Sequence, residues 1–255
     1  MIPKIIHYCW FGGNPLPKKY RYYIATWKKY CPNYQIHEWN ETNFDVDQNL
    51  YCKEAYKAKK WAFVSDYARL KIIYDNGGIY LDTDIEMIQD LSPLISKEYG
   101  FIGFQNSEEI NTGLGFAAVA HNSCIKSMLD IYNYIKFSSN SEEMNLIPCP
   151  AINTVGLIKC GLHTGETFSH KIQTLEGLKV YPVEYFCPMN YDTQKLKITS
   201  HSYTIHRFSS SWFSSKNKSK KIVKKLLPDC FLKYRANKIS QKNIKKIMLQ
   251  LKHHT

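Results

Sequence analysis

Two aspartates one residue apart, Asp82 and Asp84, close the stretch "NGGIYLDTDIE" (76–86), directly after two glycines and a short apolar run. Successive side chains alternate across a strand, so residues two apart share a face. If the extended geometry continues, both carboxylates enter one small volume. Like charges that close raise each other's pKa unless a cation neutralises them. Carboxylate oxygens are hard ligands, suited to Mg²⁺, Mn²⁺ or Ca²⁺ rather than zinc. An ion held by two protein carboxylates keeps open positions that substrate phosphates can fill. The pair reads as a metal–diphosphate site, with a plain solvated strand end as the standing alternative, because an Asp-x-Asp arises by chance about once in a chain this long. A second copy, Asp45-Val46-Asp47, lacks the Gly-Gly-strand lead and reads as a solvated loop. An EF-hand fails, since Met87 stands where that loop needs glycine and Pro93 where it needs the closing glutamate.

Upstream, Asp66 and Arg69 lie three apart in "AFVSDYARLKIIY" and so neighbour each other on one helix face. One reading is a surface ion pair. The other starts from the apolar flanks, which make a charged pair costly unless something polar meets it. In that reading Asp66 accepts from hydroxyls and Arg69 donates to sugar or diphosphate oxygens.

The elements that must position these groups follow from periodicity and punctuation. "KIIHYCWF" (4–11) predicts a first strand ended by Gly12-Gly13-Asn14-Pro15, and "LPKKYRYYIATWKKYC" a helix stopped by Pro32. "YQIHEW" (34–39) predicts a second strand, and residues 51–75 helix closed by Gly77-Gly78. "GIYLD" is a third strand, with further strands at 100–104, 113–120, 178–183 and 202–206 and helices at 123–135 and 151–161. Such alternation implies an α/β sandwich with a largely parallel sheet, where ligands gather at the carboxyl ends of the strands. Trp10-Phe11-Gly12-Gly13 and Tyr80 to Asp84 stand at two such ends. Gly113-Leu114-Gly115-Phe116-Ala117-Ala118 fits a dinucleotide fingerprint in letters only, because "FAAVA" suits a strand better than a helix opening. His163 and Glu166, in a Gly-rich turn, carry no assigned role.

Three segments in order, "IPKIIHYCWFGG", "KKWAFVSDYARLKIIYDNGGIYLDTDIE" and "HRFSSSW", resemble glycosyltransferase family 32, the sugar-binding DXD-motif transferases. That family includes bacterial capsule and O-antigen (lipopolysaccharide) enzymes and a yeast Golgi mannosyltransferase, with clostridial glucosylating toxins as distant relatives. The resemblance spans roughly residues 2–213. It implies a GT-A type nucleotide-diphospho-sugar transferase fold, with a Rossmann-like, mainly parallel sheet and flanking helices. It also implies sugar transfer with retention of configuration. By the same resemblance Asp84 binds the metal directly and Asp82 touches it or the donor's hydroxyls. Asp66 and Arg69 contact the donor sugar, Tyr80 lies near the nucleotide, and Trp10 stacks on the base, with an ordinary core tryptophan as the alternative. His206 is the third metal ligand with Ser210 as its alternative, Trp212 is an indole donor to the leaving diphosphate, and Asn111 reaches a sugar. The implied cofactor is Mn²⁺ or Mg²⁺, and the donor a UDP-sugar ahead of a GDP-sugar. No carboxylate declares itself a glycosyl nucleophile, which favours attack by the acceptor hydroxyl on the face the diphosphate leaves, ahead of a covalent double displacement.

The formal charge of +12 lies in the tail: residues 215–255 hold thirteen Lys/Arg against Asp229 alone, leaving 21 basic and 21 acidic residues in positions 1–214. The chain thus divides into a catalytic domain (1–214) and a basic amphipathic helical appendage (215–255). In "SQKNIKKIMLQLK", Ile244, Ile247, Met248 and Leu251 form an apolar stripe among lysines. Two readings stand: the stripe meets an anionic membrane, or it packs on the catalytic domain. Aromatic and glycine interleaving is too sparse for nucleic acid. The eight scattered cysteines, the lack of a signal-peptide pattern and the lack of a spanning segment lead to an expectation of a reduced, cytoplasmic protein at the inner face of the cell membrane. The expected function is extension of a polyprenyl-diphosphate-linked bacterial surface glycan by one hexose. The alternatives are a protein-glycosylating effector and an inactive basic membrane-binding module.

Overall fold

The computed structural model describes residues 1–95, 99–137, 147–209 and 227–252. In chain order the elements are β1 (Ile5–Cys9), α1 (Lys18–Tyr30), β2 (Gln35–Trp39), α2 (Leu50–Lys57), α3 (Trp61–Asn76), β3 (Gly78–Tyr80), β4 (Ile85–Met87), β5 (Gly100–Gly103), β6 (Phe116–Ala118), α4 (Ser123–Ile131), α5 (Cys149–Ile158), α6 (Glu166–Ser169), β7 (Gln173–Leu175), β8 (Leu178–Tyr181), α7 (Val183–Phe186), β9 (Thr204–His206) and α8 (Asp229–Lys252). Short 3₁₀ turns occupy Ser92–Leu94 and Thr112–Leu114. The central sheet runs β2-β1-β3-β6-β5-β8-β7. β1 pairs in parallel with β2 and β3, and β5 with β8, while β6 and β7 run against their neighbours. Five of the seven strands therefore point one way, as the α/β reading expected, with β6 an antiparallel insertion at the centre.

Alternation along the strands sorts the core into two faces. Ile6, Tyr8, Ile79 and Phe101 join Trp27 of α1 on one side, while Cys9, Tyr80 and Ile102 join α3, α4 and α5 on the other. The α3 helix is buried around most of its girth, and so carries Asp66 and Arg69 into the interior. It ends in a turn only glycine tolerates well: Gly77 and Gly78 have φ of 67° and 101°. A Cβ on Gly78 would stand 2.9 Å from both the Ile5 carbonyl oxygen and His7 Nε2. The chain enters β3 pressed flat against β1.

Three-residue strands account for most differences from the sequence reading. β4 and β7 are too short to show alternation, and residues 112–114 form a turn before a strand of only Phe116–Ala118. In the basic tail, α8 starts directly after Pro228. Its stripe packs on the body: Ile244, Ile247 and Leu251 lie in the same cluster as α3 to α5, with Met248 against it. Glu166, given no role from sequence, holds this helix through Lys233 (2.9 Å) and Asn237 (3.4 Å). Among the described residues no helix is long and apolar enough to cross a membrane.

Candidate active site

The parallel register sets His7 of β1 beside Tyr80 of β3. Trp10 and Thr83, each three residues on, thus emerge at the same rim of the sheet. The Leu81 N–H still donates to the His7 carbonyl (3.0 Å), so the extended path continues past β3. A second, two-stranded sheet then completes the site. β9 lies antiparallel to β4 with His206 opposite Ile85, which brings the imidazole over Asp84. Ligand atoms of Asp82, Asp84 and His206 all lie within 4.8 Å of one another.

Each acid has partners already set. Asp84 faces His206 Nε2 at 3.1 Å and accepts the Ser209 backbone N–H at 2.8 Å. Burial pushes the Asp84 carboxyl up, but His206 and the Ser209 N–H outweigh it and hold the group down at about 2. Asp82 accepts from the Tyr80 hydroxyl at 3.0 Å and from Arg69 Nη1 at 3.4 Å. Burial still leaves its carboxyl raised, with Arg69 opposing and Asp84 adding to the rise. His206 shows the reverse balance: burial lowers the imidazole, and the Asp84 carboxylate more than compensates, so the net shift is upward.

Arg69, only 4% exposed, joins this pair to the helix. Its Nη2 meets Asp66, its Nε donates to the Ser65 carbonyl, and its guanidinium lies 5.5 Å from the Tyr80 ring centre. One cation thus bridges two carboxylates, the buried Asp66 and the half-buried Asp82. Burial drives the Asp66 carboxyl up to about 6 despite Arg69. Removing either partner from such a set leaves an uncompensated buried charge.

The turn at 111–114 packs directly on the acids. Asn111 accepts the Gly113 N–H through Oδ1 (2.6 Å) and donates through Nδ2 to Gln105 (3.0 Å). A Cβ on Gly113 would lie 2.6 Å from Asp82 Oδ2 and 2.9 Å from Arg69 Nη1. That close approach is the reason for glycine here, unrelated to a dinucleotide fingerprint.

Trp10 is half-buried at the rim, its indole N–H bonded to the Asn14 carbonyl (2.6 Å) and its ring 5.4 Å from Tyr20. Asp66, Arg69, Tyr80, Asp82, Asp84, Asn111 and His206 are brought together, while Ser210 and Trp212 lie outside the described residues. Sequence reasoning missed the wall behind Asp66. Tyr51 Oη, Tyr132 Oη and Asn153 Oδ1 are buried there without a hydrogen bond, and both tyrosine hydroxyls feel the Asp66 charge. No local motif marks these residues; only their polar atoms on buried helix faces could have.

Two carboxylates and an imidazole form a hard, anionic donor set, with His206 Nδ1 buried and without a partner. The set fits Mn²⁺ or Mg²⁺, the imidazole favouring manganese.

Residues 17–101 match the family described as "glycosyltransferase sugar-binding region containing DXD motif". Over those residues the chain is similar to the sugar-binding region of the DXD glycosyltransferases. An uncharacterized glycosyltransferase of Acanthamoeba polyphaga mimivirus is 29% identical over 114 residues, 41% of this chain and 44% of the relative. The chain therefore matches less than half of that relative's length. Among solved structures, the PaToxG glycosyltransferase overlaps with a TM-score of 0.51 at 20% identity, covering 62% of this chain and 69% of its own. That likeness places the fold with the GT-A glycosyltransferases. A glycosyltransferase involved in glycosylation of the major capsid of PBCV-1 overlaps at 0.42 and 11% identity, over 88% of this chain and 100% of its own, too distant for further use. The DXD region supplies both acids and the Asp66–Arg69 pair, while His206 comes from well beyond it.

Proposed function

We propose that this chain is a metal-dependent, retaining glycosyltransferase that moves a hexose from a nucleotide-diphospho-sugar to a hydroxyl of a growing, lipid-linked bacterial surface glycan. The observation that carries the reading is the convergence of Asp82, Asp84 and His206 within 4.8 Å, beside an Arg69 that is already buried and charged. Breaking the anomeric C–O bond leaves negative charge on the diphosphate. A bound Mn²⁺ or Mg²⁺ supplies Lewis-acid neutralisation of that charge. Arg69 is a fixed donor aimed at the same region, and being preorganised it needs no reorientation as charge develops. Asp66 accepts from donor hydroxyls, and Trp10 offers a face to the base, an interaction worth about 1–3 kcal/mol. The acceptor oxygen bonds to the anomeric carbon as the C–O bond to diphosphate breaks on the same side, and its proton passes to the departing phosphate oxygen.

The basic tail supports contact with an anionic membrane, by a different surface than its apolar stripe. With that stripe turned into the core, α8 presents Lys238, Lys242, Lys245 and Lys252 outward, with exposed Phe231, Tyr234 and Leu249 among them. Each lysine near such a surface contributes about 1 kcal/mol at most. This surface supports the proposal of a peripheral location at the cytoplasmic leaflet, where a polyprenyl-diphosphate acceptor would be met.

The test is a panel of UDP- and GDP-hexoses with Mn²⁺ or Mg²⁺, read as nucleotide release and product anomeric configuration. A single preferred donor, with release abolished by chelation, supports the reading, and a product of inverted configuration overturns retention. Silence with every donor and metal overturns the activity itself.

A further inference from the structure

The charges around the two acids leave a donor diphosphate unmatched. Asp66, Asp82 and Asp84 stand against one buried cation, Arg69, which is shared between Asp66 and Asp82. A divalent ion at Asp82, Asp84 and His206 would bring that set to neutrality. The diphosphate then adds charge that nothing in the set meets, and cleavage of the anomeric bond adds more. The other cation close by, Arg207, is taken up by Glu86, with Nε at 2.7 Å and Nη2 at 2.5 Å from the same carboxylate oxygen.

Lys19 stands across the site from Arg69. The α3 helix covers one face of the sheet and carries Arg69, while α1 covers the opposite face and carries Lys19 in its first turn. Lys19 Nζ donates to the Ser209 hydroxyl at 3.3 Å, and the Ser209 N–H donates to Asp84 Oδ2 at 2.8 Å. One serine therefore separates the ammonium from the acid. A second set of contacts agrees with this placement. Nζ lies 5.8 Å from the Tyr23 ring centre, and the Tyr23 pKa, raised chiefly by burial, also responds to Arg207, Glu86 and Asp84.

Among the described residues Lys19 forms no ion pair. Positions 210–226, which follow Ser209 directly, contain no acid. The exposed ammonium is thus bonded to a neutral hydroxyl, a weaker partner than an anionic phosphate oxygen. Its flexible stem lets the head group shift to meet one. The next residue, Tyr20, packs on Trp10 with ring centres 5.4 Å apart. A nucleotide with its base on Trp10 and its diphosphate at Asp84 therefore lies along the first turn of α1, with Lys19 at the phosphate end.

We propose that Lys19 is a second cationic contact for the donor diphosphate, meeting its oxygens from the α1 side as Arg69 faces them from the α3 side. This rests on the glycosyltransferase reading above. The two cations differ in kind. Arg69 is locked between carboxylates, whereas Lys19 is a mobile point charge that can follow negative charge onto the leaving group.

The test is calorimetric titration of the full chain with UDP and with GDP in the presence of Mn²⁺, on the wild type, Lys19→Gln, Lys19→Arg and Lys18→Gln. The dissociation constant of the nucleotide that binds should rise about ten-fold in Lys19→Gln, the lower end for a bond to a charged group. Lys19→Arg, which keeps the charge, should recover part of the loss. Lys18→Gln, on the same exposed turn, should match the wild type. The parent nucleoside, followed by saturation-transfer NMR, should bind Lys19→Gln and the wild type alike, and their melting temperatures should agree. Diphosphate affinity within about two-fold of the wild type in Lys19→Gln, an equal loss in Lys18→Gln, or a matching loss for the nucleoside overturns the proposal. Each of those results leaves the donor reading standing, because the wild type still binds a nucleoside diphosphate. A wild type that binds neither UDP nor GDP with Mn²⁺ overturns the donor reading and the Lys19 contact together.

Discussion

The chain contains the same three-residue pattern twice, with opposite outcomes. In Asp45-Val46-Asp47 the acids serve their own loop. Asp45 Oδ1 accepts the Asp47 N–H (2.9 Å), and Asp47, its side chain 64% exposed, reaches Lys53 at 3.2 Å. Such Asx-type bonding is what aspartate does in a turn when nothing else approaches. In Asp82-Thr83-Asp84 the acids are held by groups from elsewhere: Arg69 from α3, Tyr80 from β3, and His206 and the Ser209 N–H from the far end of the described body. Local spacing puts two carboxylates near one another in both cases. A site arises only where a buried strand delivers them to a rim that remote elements also reach.

The sharpest way to break this contrast is to change one acid in each copy. Asp84→Asn removes the charge that His206 faces and should weaken manganese binding by at least about 100-fold, more than the loss of an outer-shell partner does. Nucleotide release should fall with it. Asp47→Asn should leave both unaltered and shift stability by less than about 0.5 kcal/mol. Manganese titration by calorimetry and a donor-hydrolysis assay on both variants check this. Equal effects in the two would mean that spacing alone matters.

A smaller effect is expected from crowding the site without touching its charges. Gly113→Ala places a methyl group against Asp82 and Arg69, so the bridge between them must shift by some tenths of an ångström or more. Misplacement on that scale costs up to about 100-fold in rate, and overpacking about 1–3 kcal/mol in stability. The expected result is a 10–100-fold drop in donor hydrolysis with a lower melting temperature, and manganese affinity less affected than in Asp84→Asn. Wild-type turnover would show that Asp82 is not held by its neighbours as described.

What could be read from the residues divides along physical lines. The Gly-Gly lead, the apolar run and the acids of "NGGIYLDTDIE" are contiguous, so strand, turn and carboxylates were legible together. The placement of Asp66 and Arg69 on one helix face was legible from their separation, but their burial needed the depth of α3 in the core. Periodicity could not assign the stripe of Ile244, Ile247, Met248 and Leu251, because an apolar stripe looks alike whether a bilayer or α5 covers it. β4, on which His206 is registered, has three residues, too few to show a pattern. The wall of Tyr51, Tyr132 and Asn153 was illegible because an unpartnered atom is a property of packing, with no trace in local spacing.

The mildest expected effect concerns the lead into the acids, which the Asp45 copy lacks. His7 of β1 is 2% exposed, with Nε2 3.1 Å from the Gly77 carbonyl oxygen and Nδ1 3.0 Å from Trp39 Nε1. An indole N–H can only donate, so Nδ1 accepts and Nε2 carries the proton that Gly77 receives. A second proton on Nδ1 would face the Trp39 N–H. Burial above all lowers the His7 pKa from 6.5 to about 4. Because the folded value lies below the unfolded one, the stabilisation is fully present above about pH 6.5 and is lost as pH falls towards 4. At 1.36 kcal/mol per unit, the loss from pH 7 to pH 5 is about 2 kcal/mol. Urea unfolding of the wild type and of His7→Gln, whose amide can donate and accept without titrating, isolates this contribution from the carboxylates. The gap between the two stability curves should narrow by that amount between pH 7 and pH 5. Parallel curves would show that the imidazole is not the acid-sensitive clamp on the Gly77–Gly78 turn, and that the strand bearing Asp82 and Asp84 is anchored by its apolar contacts alone.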